Sequence, residues 1–277
     1  LDLSIKLKEQ NHELPIYLLL NQRTNVKYFE EMVSKYSSFD KLFLWNGDSQ
    51  IFFAMVKSLE DRINVENDTK IGLVRVILLI EDSAQYYSKY LTMFYSVVFG
   101  QVNQLIEEFD MNELDKLAKM RSRPKILWAQ NYEEASFLFN KYKEYLICII
   151  SDGEFEHNGI PDKEAGINFL KHAKSKYKLL PMILQSSDPQ NEKKALTEGI
   201  KFINKRSERL LGELKEFIVK NFGYGDFVFR NQDGEEIAVA KNMREFEMCL
   251  KTISAESLRF HAKQNQLSIW LMGRGQI

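Results

Sequence analysis

The sequence predicts an α/β protein built around a parallel sheet, and three observations lead to that prediction. Strand-like apolar runs alternate with helix-like segments along most of the chain. The run at residues 73–83 (LVRVILLIEDS) is apolar without alternation, as in a strand buried on both faces. It ends at two adjacent carboxylates, Glu81 and Asp82, where open α/β sheets bind their ligands.

Length and composition limit the functional classes. The chain has 277 residues, enough for one large or two ordinary domains, and its 44% hydrophobic content fits a globular protein with a sizeable core. The formal net charge of −1 gives no global electrostatic basis for binding nucleic acid or an acidic membrane surface. No apolar run is long enough to cross a bilayer, and from the first residues we expect no signal peptide.

Cysteine usage and the first residue add two expectations. Cys148 and Cys249 are far apart in apolar patterns, so we expect two reduced core residues in a cytoplasmic protein. The chain begins at Leu1 within a helical pattern, which suggests a fragment of a longer protein.

Residues 1–66 have the pattern of the second half of an α/β domain. Helical spacing predicts helices over 3–9, 27–36 and 49–63, and apolar runs predict strands over 14–20 and 41–45. This alternation favours parallel βα units. The polar segment 64–70 (NVENDTK) is predicted to be a linker.

From residue 67 to 225 the alternation is repeated through five rounds. We expect strands over 74–80, 125–129, 145–150, 180–185 and 200–204. The predicted helices cover 84–109, 112–119, 132–142, 163–176, 189–198 and 207–221. A loop containing Gly153, Gly159 and Pro161 separates the third strand from its helix. Pro189 fits a first helical turn, and Gly199 fits a helix C-cap.

Residues 226–277 are predicted to form a small appended unit of a hairpin and helices. The segments 226–230 and 236–240 flank Asp233-Gly234, a strong hairpin signal. Two helices are expected over 243–252 and 255–263, with Ser254 as an N-cap. At this size, independent folding is doubtful.

Polar residues follow four of the five predicted strands of the central domain. They are Glu81 and Asp82, then Asp152, Ser186 and Lys205. Because parallel strands end at one edge of a sheet, these side chains should lie together. Three neighbouring carboxylates repel one another and favour a divalent cation, and their oxygen atoms suit Mg²⁺. The hydroxyl and the ammonium could then bind phosphoryl oxygens, so the set is equipped for phosphoryl transfer onto a carboxylate.

This order of residues resembles that of the response-regulator receiver domain. The resemblance implies a flavodoxin-like (CheY-like) five-stranded parallel sheet with helices on both faces. It implies that Asp152 is the phospho-acceptor and that Glu81 and Asp82 bind Mg²⁺ with the backbone carbonyl of Glu154. By the same resemblance, Ser186 is the switch hydroxyl and Lys205 the phosphate-contacting lysine. Phe202 matches the aromatic residue that moves on activation.

Several positions depart from the receiver pattern. The loop after Asp152 is longer than usual, and it lacks the expected early proline. Arg206 replaces a proline whose peptide bond is commonly cis in receivers. Gln185 brings an amide to a strand end that is usually apolar. These departures favour altered switching more than lost chemistry.

Two further resemblances concern residues 1–66 and the whole chain. Residues 1–66 resemble the C-terminal half of a second, degenerate receiver, because Leu20 stands near the hydroxyl position and no lysine ends its last strand. RPKILWAQNYEEA, GYGDFVFR and SAESLRFHAKQNQLSIWL are similar to N-terminal regions of bacterial phosphoenolpyruvate synthase or pyruvate, phosphate dikinase-like proteins. That similarity implies a regulatory piece of such a protein, without turnover of its own.

Two hypotheses follow from the sequence. The first is a two-component phosphorelay module that receives a phosphoryl group on Asp152 from a histidine kinase or phosphotransfer protein. It would regulate a C-terminal kinase-like domain of the parent protein. The second is a pseudo-receiver scaffold that is not phosphorylated and that dimerises or docks onto the kinase-like portion. Ordinary structural roles compete with both: Asp152 as a solvated loop acid, Ser186 as a helix cap, and the aromatic residues of 86–99 as core or as a homodimer surface.

Overall fold

The computed structural model describes residues 2–21, 25–36, 38–108 and 112–274. The helices are α1 (Asp2–Gln10), α2 (Val26–Lys35), α3 (Gln50–Gly72), α4 (Ala84–Glu108), α5 (Glu113–Arg121), α6 (Tyr132–Tyr142), α7 (Ala165–Lys176), α8 (Gln190–Thr197), α9 (Leu210–Asn221), α10 (Met243–Thr252), α11 (Ala255–Lys263) and α12 (Gln266–Gly273). The strands are β1 (Tyr17–Asn21), β2 (Lys41–Trp45), β3 (Val76–Ile80), β4 (Lys125–Ala129), β5 (Leu146–Asp152), β6 (Phe155–His157), β7 (Ile160–Asp162), β8 (Met182–Ser186), β9 (Lys201–Asn204), β10 (Phe227–Arg230) and β11 (Glu236–Ala240).

The central sheet has five parallel strands in the order β4-β3-β5-β8-β9. Counted along the chain, this is the 2-1-3-4-5 order of flavodoxin-like folds. The predicted fold class is therefore confirmed. The four strand ends that carry the predicted site residues lie at one edge, because every strand runs in the same direction.

Helices cover both faces of the sheet, which explains the apolar runs without alternation. Along β3, Ile77 and Leu79 face a core shared with α4 and α9, whereas Leu78 and Ile80 face a core shared with α6, α7 and α8. Every residue of β3 is fully buried. A strand covered on both sides has no solvent-facing positions at which polar residues could alternate.

The N-terminal unit packs on the outer side of α4. Its strands β1 and β2 form a parallel pair. Phe43 is fully buried, with its ring centroid 5.8 Å from that of Tyr87 and 6.0 Å from that of Trp128. The Tyr87 hydroxyl donates to the Leu42 carbonyl. This unit and the central sheet thus share one continuous core, with α4 between them.

The prediction of a linker over 64–70 was wrong, because α3 continues through it to Gly72. Asp61, Val65 and Thr69 are buried at four-residue intervals along α3, so one narrow stripe packs inward although the segment is mostly polar. The Thr69 hydroxyl donates to the Val65 carbonyl at 2.7 Å. Leu73 ends the helix in the left-handed region, with φ of 49°.

The segment predicted as a loop after Asp152 contains the hairpin β6–β7. Asn158 and Gly159 form its turn with φ of 53° and 73°. Asn-Gly is the pair that two-residue turns of this kind favour, since both positions need positive φ. The hairpin packs on α6, where the His157 ring stacks on Tyr132 at a centroid distance of 4.1 Å.

The C-terminal unit contains α12, which the sequence analysis did not predict. Arg274, at its C-cap, is fully buried and donates to the carbonyls of Gly223 and Gly225, each at 2.8 Å. Its guanidinium lies 3.5 Å from the Trp270 ring centroid, and the Trp270 indole also donates to the Gly225 carbonyl. These contacts attach the unit to the end of α9. Gly223, with φ of 70°, permits the close approach of α12.

Two smaller expectations are tested as well, and a third is not. Cys148 and Cys249 are both free thiols, as predicted. The predicted end of α4 at Phe109 lies outside the described residues. No helix among the described residues combines the length and the apolar character needed to span a membrane.

A buried ion-pair network joins α3 to the edge of the sheet. Asp61 is fully buried and binds Arg123 through two contacts of 2.6 and 3.0 Å. The Tyr95 hydroxyl and the Ile126 amide also donate to Asp61, each at 2.9 Å. The Arg123 guanidinium lies 4.7 Å from the Phe99 ring centroid. Removing one partner would leave a charge without compensation in the core.

We expect Asp61→Asn to lower the free energy of unfolding by about 3–5 kcal/mol, because Arg123 would lose its buried counter-charge. Urea denaturation followed by circular dichroism measures this change. The neighbouring Glu60→Gln is the matched control, since its ion pair with Lys57 is partly exposed and worth at most about 1 kcal/mol. Equal effects of the two substitutions would contradict the role assigned to Asp61.

Candidate functional site

The three predicted metal-binding acids lie together at the carboxyl edge of the sheet. Glu81 and Asp82 follow β3 directly, and Asp152 ends the neighbouring β5. One carboxylate oxygen from each lies within 4.8 Å of the other two. Glu81 is fully buried, Asp152 is 8% exposed, and Asp82 is open to solvent. The cluster therefore has a closed interior and an open side at Asp82.

Lys205 binds the two buried acids of the cluster. Its ammonium lies 2.5 Å from Asp152 Oδ2 and 2.7 and 2.9 Å from the two Glu81 oxygens. It also lies 4.2 Å from the centroid of the Tyr86 ring, which adds a cation–π contact. Its backbone amide donates to the Ser186 carbonyl, which fixes the chain at the end of β9. Lys205 thus takes the position that links the acids of β3 and β5.

Burial and mutual repulsion make the acid cluster hard to ionise fully. Burial, followed by the charge of Asp152, raises the pKa of Glu81 well above its ordinary value against the opposing effect of Lys205. The same two causes raise the pKa of Asp82 to about 6, although this residue keeps solvent contact. Burial lowers the pKa of Lys205, but Glu81 and Asp152 outweigh that effect and raise it overall. One ammonium facing three carboxyls leaves negative charge that a further cation could neutralise.

Ser186 lies at the end of β8, close to Gly153. Its hydroxyl accepts hydrogen bonds from the Asn191 amide at 3.0 Å and from the Asp188 backbone at 3.1 Å. A Cβ at Gly153 would come within 2.9 Å of that hydroxyl. The hydroxyl therefore orients the start of α8 and also adjoins the backbone that follows Asp152. Ser186 therefore does not cap α8 itself, whose N-cap is Pro189, and its role in binding a phosphoryl group stays a prediction.

The backbone around Asp152 is held by α7. The Gly166 amide donates to the Gly153 carbonyl at 3.2 Å. A Cβ at Gly166 would lie 1.9 Å from the Asp152 carbonyl oxygen, so only glycine fits there. The Gly153 amide donates to Asp152 Oδ1 at 2.6 Å. Together these contacts fix both the main chain and the carboxylate of Asp152.

The remaining predicted residues surround this cluster without joining it. Phe202 is half-buried against the core of α6, α7 and α8, on the opposite face of β9 from Lys205. Glu154 has an exposed side chain in the connection from β5 to the hairpin. Gln185, the register partner of Asp152, is fully buried, and neither of its amide atoms has a hydrogen-bond partner among the described residues. The Lys205–Arg206 bond is trans.

Sequence reasoning missed four contributors to the site. Glu30 of α2 accepts a hydrogen bond from the Ala84 amide at 3.1 Å, so the N-terminal unit reaches the first turn of α4 beside Asp82. The Trp128 indole donates to the Glu81 carbonyl at 2.7 Å. Asn191 and Gly166 hold Ser186 and Asp152. Only Gly166 gave a local signal, a glycine at a helix start; the others depend on long-range packing.

Comparisons with known proteins give limited similarity. No family model matches the sequence, and no curated protein matches it. Among solved structures, the chain is similar to a response regulator receiver domain protein from Clostridium thermocellum, at 16% identity over 52% of this chain and 91% of that chain, with a TM-score of 0.38. It is also similar to the Mn²⁺-bound response regulator Rcp1, at 15% identity over 53% of this chain and 92% of that chain, with a TM-score of 0.31.

A third similar structure is the receiver domain of the histidine kinase CKI1 from Arabidopsis thaliana, complexed with Mg²⁺ and BeF₃⁻. The identity is 15% over 57% of this chain and 97% of that chain, with a TM-score of 0.28. All three similarities cover about half of this chain. At this level of identity, the function is inferred from the geometry of the acid cluster alone.

We expect Asp82→Asn to stabilise the metal-free protein at pH 7.5. The pKa of Asp82 in the folded protein, about 6, lies above the ordinary 3.8, so folding favours the protonated acid. The stability that the protonated form contributes is therefore lost as pH rises through 6. The free energy of unfolding of Asp82→Asn should exceed that of the native protein by about 1 kcal/mol, after allowance for solvent screening at an exposed residue. This difference should disappear below pH 4.

Urea denaturation between pH 4 and 7.5, with a chelator present, measures the effect. Asp233→Asn in the exposed β10–β11 turn is the control for loss of one charge. A destabilised Asp82→Asn protein at pH 7.5, or a gain that does not vary with pH, would contradict the raised pKa.

Proposed function

We propose that this chain is a signalling receiver module that accepts a phosphoryl group on Asp152. One observation carries the proposal: three carboxylates from two adjacent strand ends converge within 4.8 Å, and Lys205 binds two of them. A structural role alone would not require so many like charges at one edge of the sheet. A phosphorylatable carboxylate with its own cation site accounts for the whole group.

The residues present fit a hard divalent cation such as Mg²⁺. Glu81, Asp82 and Asp152 offer oxygen atoms only, which is the donor type that Mg²⁺ requires. The backbone carbonyl of Glu154 is the further ligand that we propose. A bound Mg²⁺ would supply positive charge that offsets the repulsion between the acids and an incoming phosphoryl group. Because Asp82 is open to solvent, the cation and the phosphoryl donor could enter from that side.

Each residue of the cluster has a defined part in the transfer. An Asp152 carboxylate oxygen forms a bond to phosphorus while the phosphorus–nitrogen bond of the donor phosphohistidine breaks, and the imidazole leaves as the other product. Lys205 would then bind a phosphoryl oxygen, and the Ser186 hydroxyl would turn from its present partners to do the same. Phe202 would follow that movement.

The proposed setting is a phosphorelay. A histidine kinase or a phosphotransfer protein would supply the phosphoryl group, and residues 67–225 would form the receiver domain. Its surface change would regulate a kinase-like domain in a cytoplasmic, phosphoenolpyruvate synthase-like parent protein, with homodimer formation as one route. Residues 1–66 and 226–277 would transmit the change, because both pack directly on the central fold.

A scaffold that is never phosphorylated is the second candidate. It is favoured by the ion pairs of Lys205, which already occupy Glu81 and Asp152. The β6–β7 hairpin also replaces the short loop that follows the acceptor in receivers. In this case the acid cluster would be a stabilising remnant, and the chain would act through dimerisation or docking.

We expect acetyl phosphate with Mg²⁺ to add one phosphoryl group to the native protein, and Asp152→Asn to abolish the addition because the nucleophilic oxygen is lost. Intact-mass spectrometry measures the added phosphoryl group, and Mg²⁺-dependent binding of beryllofluoride is a parallel assay. Glu156→Gln, an exposed acid on the neighbouring hairpin, is the control that should behave as the native protein.

The same assays separate the two candidates. Mg²⁺-dependent modification confined to Asp152 would exclude the scaffold. Native protein that stays unmodified by acetyl phosphate and does not bind beryllofluoride would contradict phosphoryl transfer and leave the scaffold in its place.

A further inference from the structure

A large groove lies at the amino-terminal edge of the sheet, opposite the acid cluster. Residues that precede three of the parallel strands line it, namely Arg75, Pro124 and Pro181. α4, α5 and α12 form its other side. Its volume is about 1190 Å³, slightly above the range of roughly 300–1,000 Å³ that is usual for small-molecule sites. We call it the amino-edge groove.

The walls of the amino-edge groove are mainly apolar. Val102 and Leu105 come from α4, Leu146 and Ile147 from β5, and Met272 from α12. Leu105 is 1% exposed and Val102 5% exposed, so these side chains form a floor. A surface of this shape would bind the apolar body of a ligand through the hydrophobic effect.

Two buried polar groups in the groove have no partner. Gln101 is 8% exposed and Tyr224 is 6% exposed, and both line the groove. Neither the Gln101 amide nitrogen nor the Tyr224 hydroxyl has a hydrogen-bond partner among the described residues. Both atoms have almost no accessible surface here, so an acceptor atom of a ligand would reach them only after the two side chains turn toward the groove; an unsatisfied buried donor costs about 1–3 kcal/mol, which favours such a turn.

The charged residues of the groove are predominantly basic. They are Arg75, Lys119, Arg123, Lys176 and Lys178, against the single acid Asp115. Arg123 is neutralised by Asp61, whereas Lys176 and Lys178 make no ion pair with any acid in the described ranges. Burial and the neighbouring Arg274 lower the pKa of Lys119, as happens where cations lack an anion. The groove thus complements negative charge.

We propose that the amino-edge groove binds an amphipathic carboxylate, a ligand with an aliphatic body and one anionic head. The body would lie on Val102, Leu105 and Leu146. The head would lie in the field of the surrounding lysines and would accept hydrogen bonds from Gln101 and Tyr224 once these side chains turn toward the groove. Since the site is formed by strand starts, it is separate from the acid cluster and independent of phosphorylation.

Laurate below its micellar concentration is the probe, measured by isothermal titration calorimetry on the full chain. We expect saturable binding to one site, weakened at least about tenfold by Gln101→Leu or Tyr224→Phe, because each removes a donor to the charged head. Gln104→Leu is the matched control on the same helix. Gln104 is exposed and does not line the groove, so this variant should bind as the native protein does.

A surface variant and a second amphiphile test the same proposal independently. Reversing the exposed Lys176 and Lys178 to glutamate leaves the core intact and should also weaken laurate binding, which covers the case of a buried variant that does not fold. Dodecyltrimethylammonium has the same chain with a cationic head and should bind far more weakly. No laurate binding, equal binding to Gln101→Leu, Tyr224→Phe and native protein, or equal binding of both amphiphiles would overturn the proposal.

Discussion

The ion pairs of Lys205 with Glu81 and Asp152 are the interaction on which the site depends. They join the ends of β3, β5 and β9, three parallel strands of the central sheet. Without a cation at this point, a fully buried carboxylate would face a second one, and one of them would have to be protonated. The ammonium therefore holds the acids together, and the proposed divalent cation would compete with it for the same oxygen atoms.

Helix α4 connects this site to the rest of the molecule. One of its faces packs on the central sheet and the other on β2, so the N-terminal unit and the central fold share a core. Glu30 binds the first turn of α4 beside Asp82, while Gln101 lies near its far end in the amino-edge groove. A single rigid element thus extends from the acid cluster to the groove.

Much of the site could be predicted because apolar runs mark the strands in the sequence, and parallel strands end at the same edge of a sheet. Glu81, Asp152 and Lys205 each follow an apolar run, and common strand direction brings them together wherever the helices lie. The contribution of Glu30 could not be foreseen, because it depends on how a separate unit packs. The linker prediction failed for a similar reason: Asp61, Val65 and Thr69 form a stripe too narrow to stand out in a polar segment. The hairpin turn at Asn158-Gly159 did carry a local signal, which was overlooked beside the resemblance to receivers with a short loop.

The central claim is that Glu81, Asp82 and Asp152 form one divalent-cation site. The most direct measurement is a titration with Mn²⁺ as a spectroscopic substitute for Mg²⁺, followed by electron paramagnetic resonance at pH 7.5. The account predicts that the native protein binds one Mn²⁺, that Mg²⁺ displaces it, and that Glu81→Gln weakens binding at least about tenfold through loss of a charged ligand. Native protein that leaves all of the Mn²⁺ free at millimolar concentration, or Glu81→Gln protein that binds it equally well, would contradict the claim.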